Sequence, residues 1–324
     1  MKHVRPVVAR QRSVIWILLG VLAEIMLTAA AVCALYIAWQ MWWTGVQSEH
    51  TQIETRQAVS WSDPGKAENV TIAQAQEGDP PVQPQNAQEG ELIAQVYIPR
   101  FGSQWQRNLV EGTTLTELNK HGLGHYTNSQ MPGQIGNFAF AGHRNGYGQP
   151  LGDVDKLQEG DPIIIRTQDY WYVYHYTKSE IVLPTDVEVV SSNPEEPGAT
   201  PTKRMLTMTT CEPKYSTPTH RWISYGEFSY WAKVSDGIPQ ELATTDTNGK
   251  VKFINNGKAS FASGITTLEP WIFGALAAYV VIFAAAAVAW RWPVLAAIHA
   301  GEREKPDFSI YGGLLRLQPG VLPS

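Results

Sequence analysis

Met205-Leu206-Thr207-Met208-Thr209-Thr210-Cys211-Glu212-Pro213, followed after a short gap by Arg221-Trp222-Ile223-Ser224-Tyr225, decides what kind of chain this is. Its alternation is that of a β-strand. Met205, Thr207, Thr209 and Cys211 fall on one face, Leu206, Met208 and Thr210 on the other. Pro213 has no amide proton to give a ladder and stops the strand just beyond the cysteine. Arg221 opens the next strand-like run. A thiol and a guanidinium can therefore face each other across two neighbouring strand ends. The alternative is a cysteine packed as a small apolar group, the ordinary fate of a free thiol.

Topology bears on that choice. The chain has 324 residues and a net charge of -5, which offers no basic footprint for nucleic acid. Two apolar runs, 14–39 and 271–290, each reach the roughly 20 residues a helix needs to cross a bilayer. Trp39, Trp42 and Trp43 crowd the end of the first; Trp290 and Trp292 end the second, as interfacial belts do. Lys2, Arg5, Arg10 and Arg12 precede the first run, and Arg291, Arg303 and Lys305 follow the second. Positive charge at both outer ends puts both termini in the cytoplasm and Cys211 outside the membrane. The first run is longer than a signal-peptide core, and bulky Val32 argues against lipidation at Cys33, so it reads as an uncleaved anchor. Glu24 within it is read as protonated and facing the other helix. Cys33 lies in that anchor, which leaves Cys211 without a disulfide partner in the exported region. A lone thiol in an oxidising compartment points to reactivity.

The segments in order are a tail at 1–13, a span at 14–40, a spacer at 41–90 and a folded domain at 91–235. A second spacer at 236–269, a second span at 270–290 and a tail at 291–324 complete the chain. The first spacer is rich in Gln, Glu, Pro and Gly and buries no core of its own. Within it, Trp61-Ser62-Asp63-Pro64 is an island that can dock back on the domain. Strand-like runs fall at 92–98, 106–110, 137–141, 161–167, 171–182 and 205–211, with one or two more in 221–234. A short helix capped by Thr113/Thr114 covers 115–120 and ends at Gly122. Many short strands with one or two helices predict a mainly β domain, an antiparallel sheet or barrel.

Five histidines between His121 and His220 could serve the thiol. His143 follows an apolar strand and Gly142 and precedes the tight Arg144-Asn145-Gly146-Tyr147-Gly148 loop, which presents it at a sheet edge. His220, beside Arg221, is the second candidate; His121, His125 and His175 read as surface or structural. A thiolate is the nucleophile, and a nearby imidazolium or arginine favours it. Histidine can protonate a departing amine and deprotonate an incoming one, and arginine can stabilise a tetrahedral oxyanion. No metal-ligand pair at helix spacing and no glycine-rich phosphate loop occurs, so neither metal nor cofactor is expected.

These segments resemble the sortases, membrane-anchored cysteine transpeptidases of Gram-positive bacteria. Thr207-Met208-Thr209-Thr210-Cys211 is close to the family's Thr-Leu-x-Thr-Cys strand, Arg221 matches its arginine, and Ala141-Gly142-His143-Arg144 matches its histidine segment. The chain is most similar to class E, through Gly124-His125-Tyr126, Pro132-Gly133-Gln134-Ile135-Gly136-Asn137, Tyr147-Gly148 and Cys211-Glu212-Pro213-Lys214-Tyr215-Ser216. The resemblance implies a closed or partly closed sortase β-barrel flanked by two transmembrane helices. It also implies Cys211 as nucleophile, His143 as acid/base and Arg221 as oxyanion and orienting group, with Tyr215, Thr209 and Thr210 lining the substrate groove. The implied reaction cuts a Leu-Pro-x-Thr-Gly or Leu-Ala-x-Thr-Gly sorting signal of a surface protein between Thr and Gly. A thioester then passes the protein to an amine of lipid II or peptidoglycan.

Two alternatives stand beside this. Two spans are also a trait of pilus-building class C, which uses a pilin lysine as acceptor, although Asp63-Pro64 is followed by Gly65 instead of that class's lid aromatic. In the other alternative the chain is a non-catalytic envelope scaffold with Cys211 in its core.

Overall fold

The computed structural model describes residues 14–62 and 70–255. Both tails, the expected second span, the end of the second spacer and Asp63-Pro64 lie outside the described residues. The chain divides after Ile37 into two units. The described element of the first is α1 (Val14–Ala38), a single helix of 25 residues along which Ile15, Leu18, Leu22, Ile25 and Leu35 are exposed. Taking only residues whose side chains are described, no helix is long and apolar enough to cross a membrane.

The second unit is a closed barrel. Its strands are β1 (Leu92–Tyr97), β2 (Gln106–Glu111), β3 (Leu123–His125), β4 (Gly136–Gly142), β5 (Pro162–Arg166), β6 (Tyr170–Val182), β7 (Arg204–Glu212) and β8 (His220–Lys233). They follow the order β1-β2-β3-β4-β7-β8-β6-β5, and β5 pairs back on β1 to close the ring. This is the mainly β architecture that the sequence predicts. The short helix is α3 (Leu115–His121).

Period-two alternation fills the barrel. Phe138 and Phe140 of β4, Tyr172 and Tyr174 of β6, and Leu206 and Met208 of β7 all belong to one buried core. Each such side chain contributes about 1.5–3 kcal/mol on burial. The outward face of β7 is covered too. Met205 packs with Ile223 and Tyr225, and Thr207 donates to Asn137 Oδ1 at 2.8 Å.

Two pairings are parallel, β2 with β3 and β4 with β7, where a mainly antiparallel sheet is expected. A hydropathy period of two is the same for either direction, so periodicity does not set it. Connection length does: β5, β6 and a long loop separate β4 from β7, supplying the crossover a parallel pair requires. The consequence is functional. Parallel neighbours finish at the same end of the barrel, and antiparallel β8 starts there.

The stretches expected as spacers are folded onto the barrel where they are described. In the first, α2 (Thr44–Ala58) lies against α3 and β2. Ser48 Oγ donates to Lys120 O at 3.3 Å, and Gln52 Oε1 accepts from Asn108 N at 3.0 Å. Arg56 Nη1 donates to Asn108 Oδ1 at 2.8 Å, and Glu49 stands between Arg56 and Arg107. Further on, Ala73 N donates to Ile238 O at 2.8 Å, and Tyr172 Oη donates to Pro81 O at 2.6 Å. The Trp61 island does dock: the Arg166 guanidinium lies 5.7 Å over its ring and donates to Ser62 O. In the second spacer, β9 (Ala243–Thr245) and β10 (Val251–Phe253) form a hairpin. Leu242 and Phe253 join Tyr97, Ile164 and Trp171 in a second core. Polar composition excluded an independent core in these stretches, but not docking through hydrogen bonds and a few apolar anchors.

Candidate active site

β4 ends at Gly142, where a Cβ would stand 2.7 Å from Leu123 Cδ2 and 3.0 Å from Leu151 Cγ, so the two leucines would have to shift to admit a side chain. The glycine lets the chain leave between Leu123 and Leu151, and His143 is the first residue off the strand. The loop that follows is tight. Leu151 N donates to His143 O at 3.0 Å, and Tyr147 and Gln149 take left-handed backbone angles (φ 49 and 47). Tyr147 turns its ring back onto the imidazole, centroids 5.0 Å apart and planes at 28°. Across the imidazole, Asn119 Oδ1 on α3 lies 2.7 Å from His143 Nε2. With that amide oxygen as acceptor, Nε2 carries the proton and Nδ1 the lone pair.

α2 supports both neighbours of the ring. It holds α3 through Lys120 O, and its Thr44 Oγ1 accepts from Tyr147 N at 3.2 Å. Burial disfavours the imidazolium and holds the His143 pKa below the ordinary imidazole value. Asn119→Ala is expected to lower kcat/KM about five- to tenfold, the worth of one hydrogen bond, in a protein that still folds. Asn119→Asp would place a carboxylate beside the ring, raise its pKa and move the acid limb of the pH–rate profile to higher pH. An unmoved limb in that variant would separate Asn119 from the ring's chemistry.

Cys211 and Arg221 are direct Cα partners across β7 and β8, as the strand pattern predicts. On the other side, the β4–β7 ladder pairs Ala141 with Thr209. His143 lies two residues beyond that last paired rung, as Cys211 lies two residues beyond Thr209, so β4 and β7 deliver the two residues to the same end of the barrel. The thiol therefore sits on the middle strand, between β4, which leads to His143, and β8, which carries Arg221 opposite it. Met205 to Thr210 are buried, and Cys211 is the first residue of that run to be part-exposed. A thiol packed as a core group would lie inside; this one marks where β7 leaves the core. Arg221 is part-exposed as well, and its Nη1 donates to His220 O at 3.2 Å.

The remaining expectations divide. Thr209 lies on the Cys211 face, and its hydroxyl shares a 2.8 Å hydrogen bond with that of Tyr126. Thr210 is turned to the opposite, buried face and donates to Gly142 O at 2.8 Å. It ties the end of β4 to β7, which corrects the expectation that it lines the groove. Tyr215 is 70% exposed on the β7–β8 loop, with Lys214 Nζ 5.3 Å from its ring centroid. His220 pairs with Glu212, on the face away from Cys211, which removes it as a partner for the thiol. His125 is fully buried between Glu111 (3.0 Å) and Ser129 (2.9 Å), a structural role. Among the described residues no group of His, Cys, Asp and Glu is arranged to hold a metal ion. Asn119 was not singled out from sequence, and Tyr126 and Tyr147 entered only within the Gly124-His125-Tyr126 and Tyr147-Gly148 segments, without a role. Neither segment says which way its tyrosine turns, and Asn119 lies 24 residues from His143 in the chain, where no local pattern joins them.

A sortase domain family matches residues 96–229, which hold His143, Cys211 and Arg221. Sortase SrtE2 of Streptomyces coelicolor is 32% identical over 237 residues, covering 69% of this chain and 87% of that protein. Sortase SrtE1 of the same organism is 30% identical over 235 residues, covering 69% of this chain and 60% of its own length. The solved SrtA sortase from Actinomyces oris is 38% identical, covers 52% of this chain and 96% of that one, and superposes with a TM-score of 0.49. The 32% identity to Sortase SrtE2 across 87% of that protein leads to one conclusion: the chain belongs to the sortase family of transpeptidases, and it resembles the class E members.

Proposed function

We propose that this sortase is anchored in the cell membrane with its barrel outside the cell and both termini inside. There it cuts a Leu-Pro/Ala-x-Thr-Gly-like sorting signal between Thr and Gly and moves the surface protein to a cell-wall amine. The observation that carries the chemistry is the register: Cys211 pairs with Arg221, and the parallel β4–β7 ladder leads to His143 on its other side. Cys211 passes its thiol proton to the Nδ1 lone pair of His143, and the thiolate attacks the threonine carbonyl carbon. Arg221 stabilises the oxyanion that forms. His143, protonated at Nδ1, gives that proton to the glycine nitrogen as the carbon–nitrogen bond breaks, leaving a thioester. An incoming amine then loses a proton to His143, attacks the thioester carbon and releases the thiolate. One amide is exchanged for another, so no external energy source is needed. Thr209 and the Tyr126 hydroxyl, on the same face as the thiol, form part of the groove floor. Exposed apolar side chains along α1 and the basic flanks at both ends of the chain support the anchored topology.

The test is the full chain in lipid nanodiscs with Leu-Ala-x-Thr-Gly and Leu-Pro-x-Thr-Gly peptides and an amine acceptor. Release of the glycine-containing fragment, and its replacement by a wall-peptide amine, is the expected result. Transfer to a pilin-domain lysine in preference to the wall peptide would favour the polymerising alternative. Cleavage of neither peptide would overturn this substrate assignment.

A further inference from the structure

Each residue proposed for the reaction is followed in the chain by one that turns to the opposite face, and those three followers meet. Arg144 follows His143, Glu212 follows Cys211, and Trp222 follows Arg221. Arg144 Nη1 is ion-paired with Glu212 Oε2, and the guanidinium carbon stands 4.6 Å from the Trp222 ring centroid. Arg144 Nη2 reaches Asp155 Oδ1 at 3.3 Å. Trp222 itself packs on the inward-facing core and donates from Nε1 to Ser224 Oγ at 3.2 Å.

Two features set this cluster apart from an ordinary surface ion pair. Arg144 is only 6% exposed, so its charge is stable there only while its partners hold it. It also lies beyond the last rung of the sheet. The β4–β7 ladder stops at Ala141–Thr209, and β4 itself stops at Gly142. No ladder bond therefore fixes His143 against Cys211. The Arg144–Glu212 pair joins the next residue of each chain, immediately after the base and the nucleophile, and Trp222 brings the Arg221 strand into the same contact.

We infer that the Arg144–Glu212 pair, seated on Trp222, is a positioning device that sets the spacing of His143, Cys211 and Arg221. The inference rests on the roles proposed above for those three residues. None of the followers touches a reacting atom; each acts through the backbone of the residue before it. A purely structural cluster would change melting temperature alone, whereas a positioning cluster changes the chemical step in protein that is still folded.

The experiment uses the full chain in nanodiscs carrying Glu212→Gln, Arg144→Lys, or Arg144→Met together with Glu212→Met. The readouts are kcat and KM for peptide cleavage, melting temperature, and the pH dependence of alkylation at Cys211 read by peptide mapping. A misplacement of about 1 Å costs on the order of 100-fold in rate. Glu212→Gln is accordingly expected to lower kcat about 10- to 100-fold with KM little changed, and to shift the alkylation profile. Arg144→Lys keeps the charge without the planar fork or the stacking face and falls between Glu212→Gln and the parent. The double variant replaces a buried pair by apolar side chains, a change that is often neutral or stabilising. It is expected to fold and still to show the low kcat. A folded double variant with parental kcat and alkylation profile, or a Glu212→Gln that loses only melting temperature, overturns the inference. If the parent cuts no peptide, the substrate reading fails instead; if the parent cuts and the variants match it, only the positioning role fails.

Discussion

Arg221→Lys is expected to lower kcat for cleavage of the sorting peptide by about 100- to 1,000-fold, the cost of removing one oxyanion donor. Arg221 is the second residue of β8, directly opposite Cys211, so its backbone position is fixed by the ladder itself. Lysine would keep the charge and most of the reach. It lacks the planar fork that can hold one donor on the His220 carbonyl while aiming another at a developing oxyanion. The loss should fall mainly on kcat, because the negative charge exists only in the transition state. Steady-state kinetics on the folded variant check this, and a parental kcat would remove Arg221 from the chemical step.

His143→Ala is expected to cost about 100- to 10,000-fold, the range of general acid–base catalysis by a placed side chain. The pH dependence is the sharper readout. Burial keeps the His143 imidazole neutral to lower pH than an exposed one, so the acid limb of the parental kcat/KM profile should lie below about 6.5. The alanine variant should lack that limb. The same shift has a stability consequence. A histidine with a depressed folded pKa lets the unfolded chain bind the proton first, so stability falls as pH drops through about 6.5 toward the folded value. The alanine variant should lose that part of the slope, which acid titration of the folded fraction would show.

Much of the site was legible because its parts are local patterns. A strand of alternating Thr and Met that delivers Cys211, the Gly142–His143 exit from an apolar strand, and Arg221 opening the next run each occupy a few consecutive residues. What joins them is not local. That β4 and β7 run parallel depends on the path of the chain between them, and without that pairing His143 and Cys211 would not finish at the same barrel end. β3 is only 3 residues long, too short for alternation to register. α2 was hidden in polar composition because polar groups hold it: Ser48, Gln52 and Arg56 bond to α3 and β2 instead of burying an apolar stripe. Thr210 shows the reverse error. Adjacent to Cys211 in sequence, it faces the other side of the sheet, where strand alternation puts it.

In the proposed reaction Cys211 attacks the threonine carbonyl and carries the cleaved protein as a thioester. The most direct measurement is the intact mass of the full chain quenched in acid during turnover of a Leu-Ala-x-Thr-Gly peptide without an acceptor amine. The expected result is an adduct equal to the peptide cut after threonine, mapped to Cys211, released by hydroxylamine and absent in Cys211→Ala. Cleavage that proceeds unchanged in Cys211→Ala, or an adduct on any other residue, would contradict it.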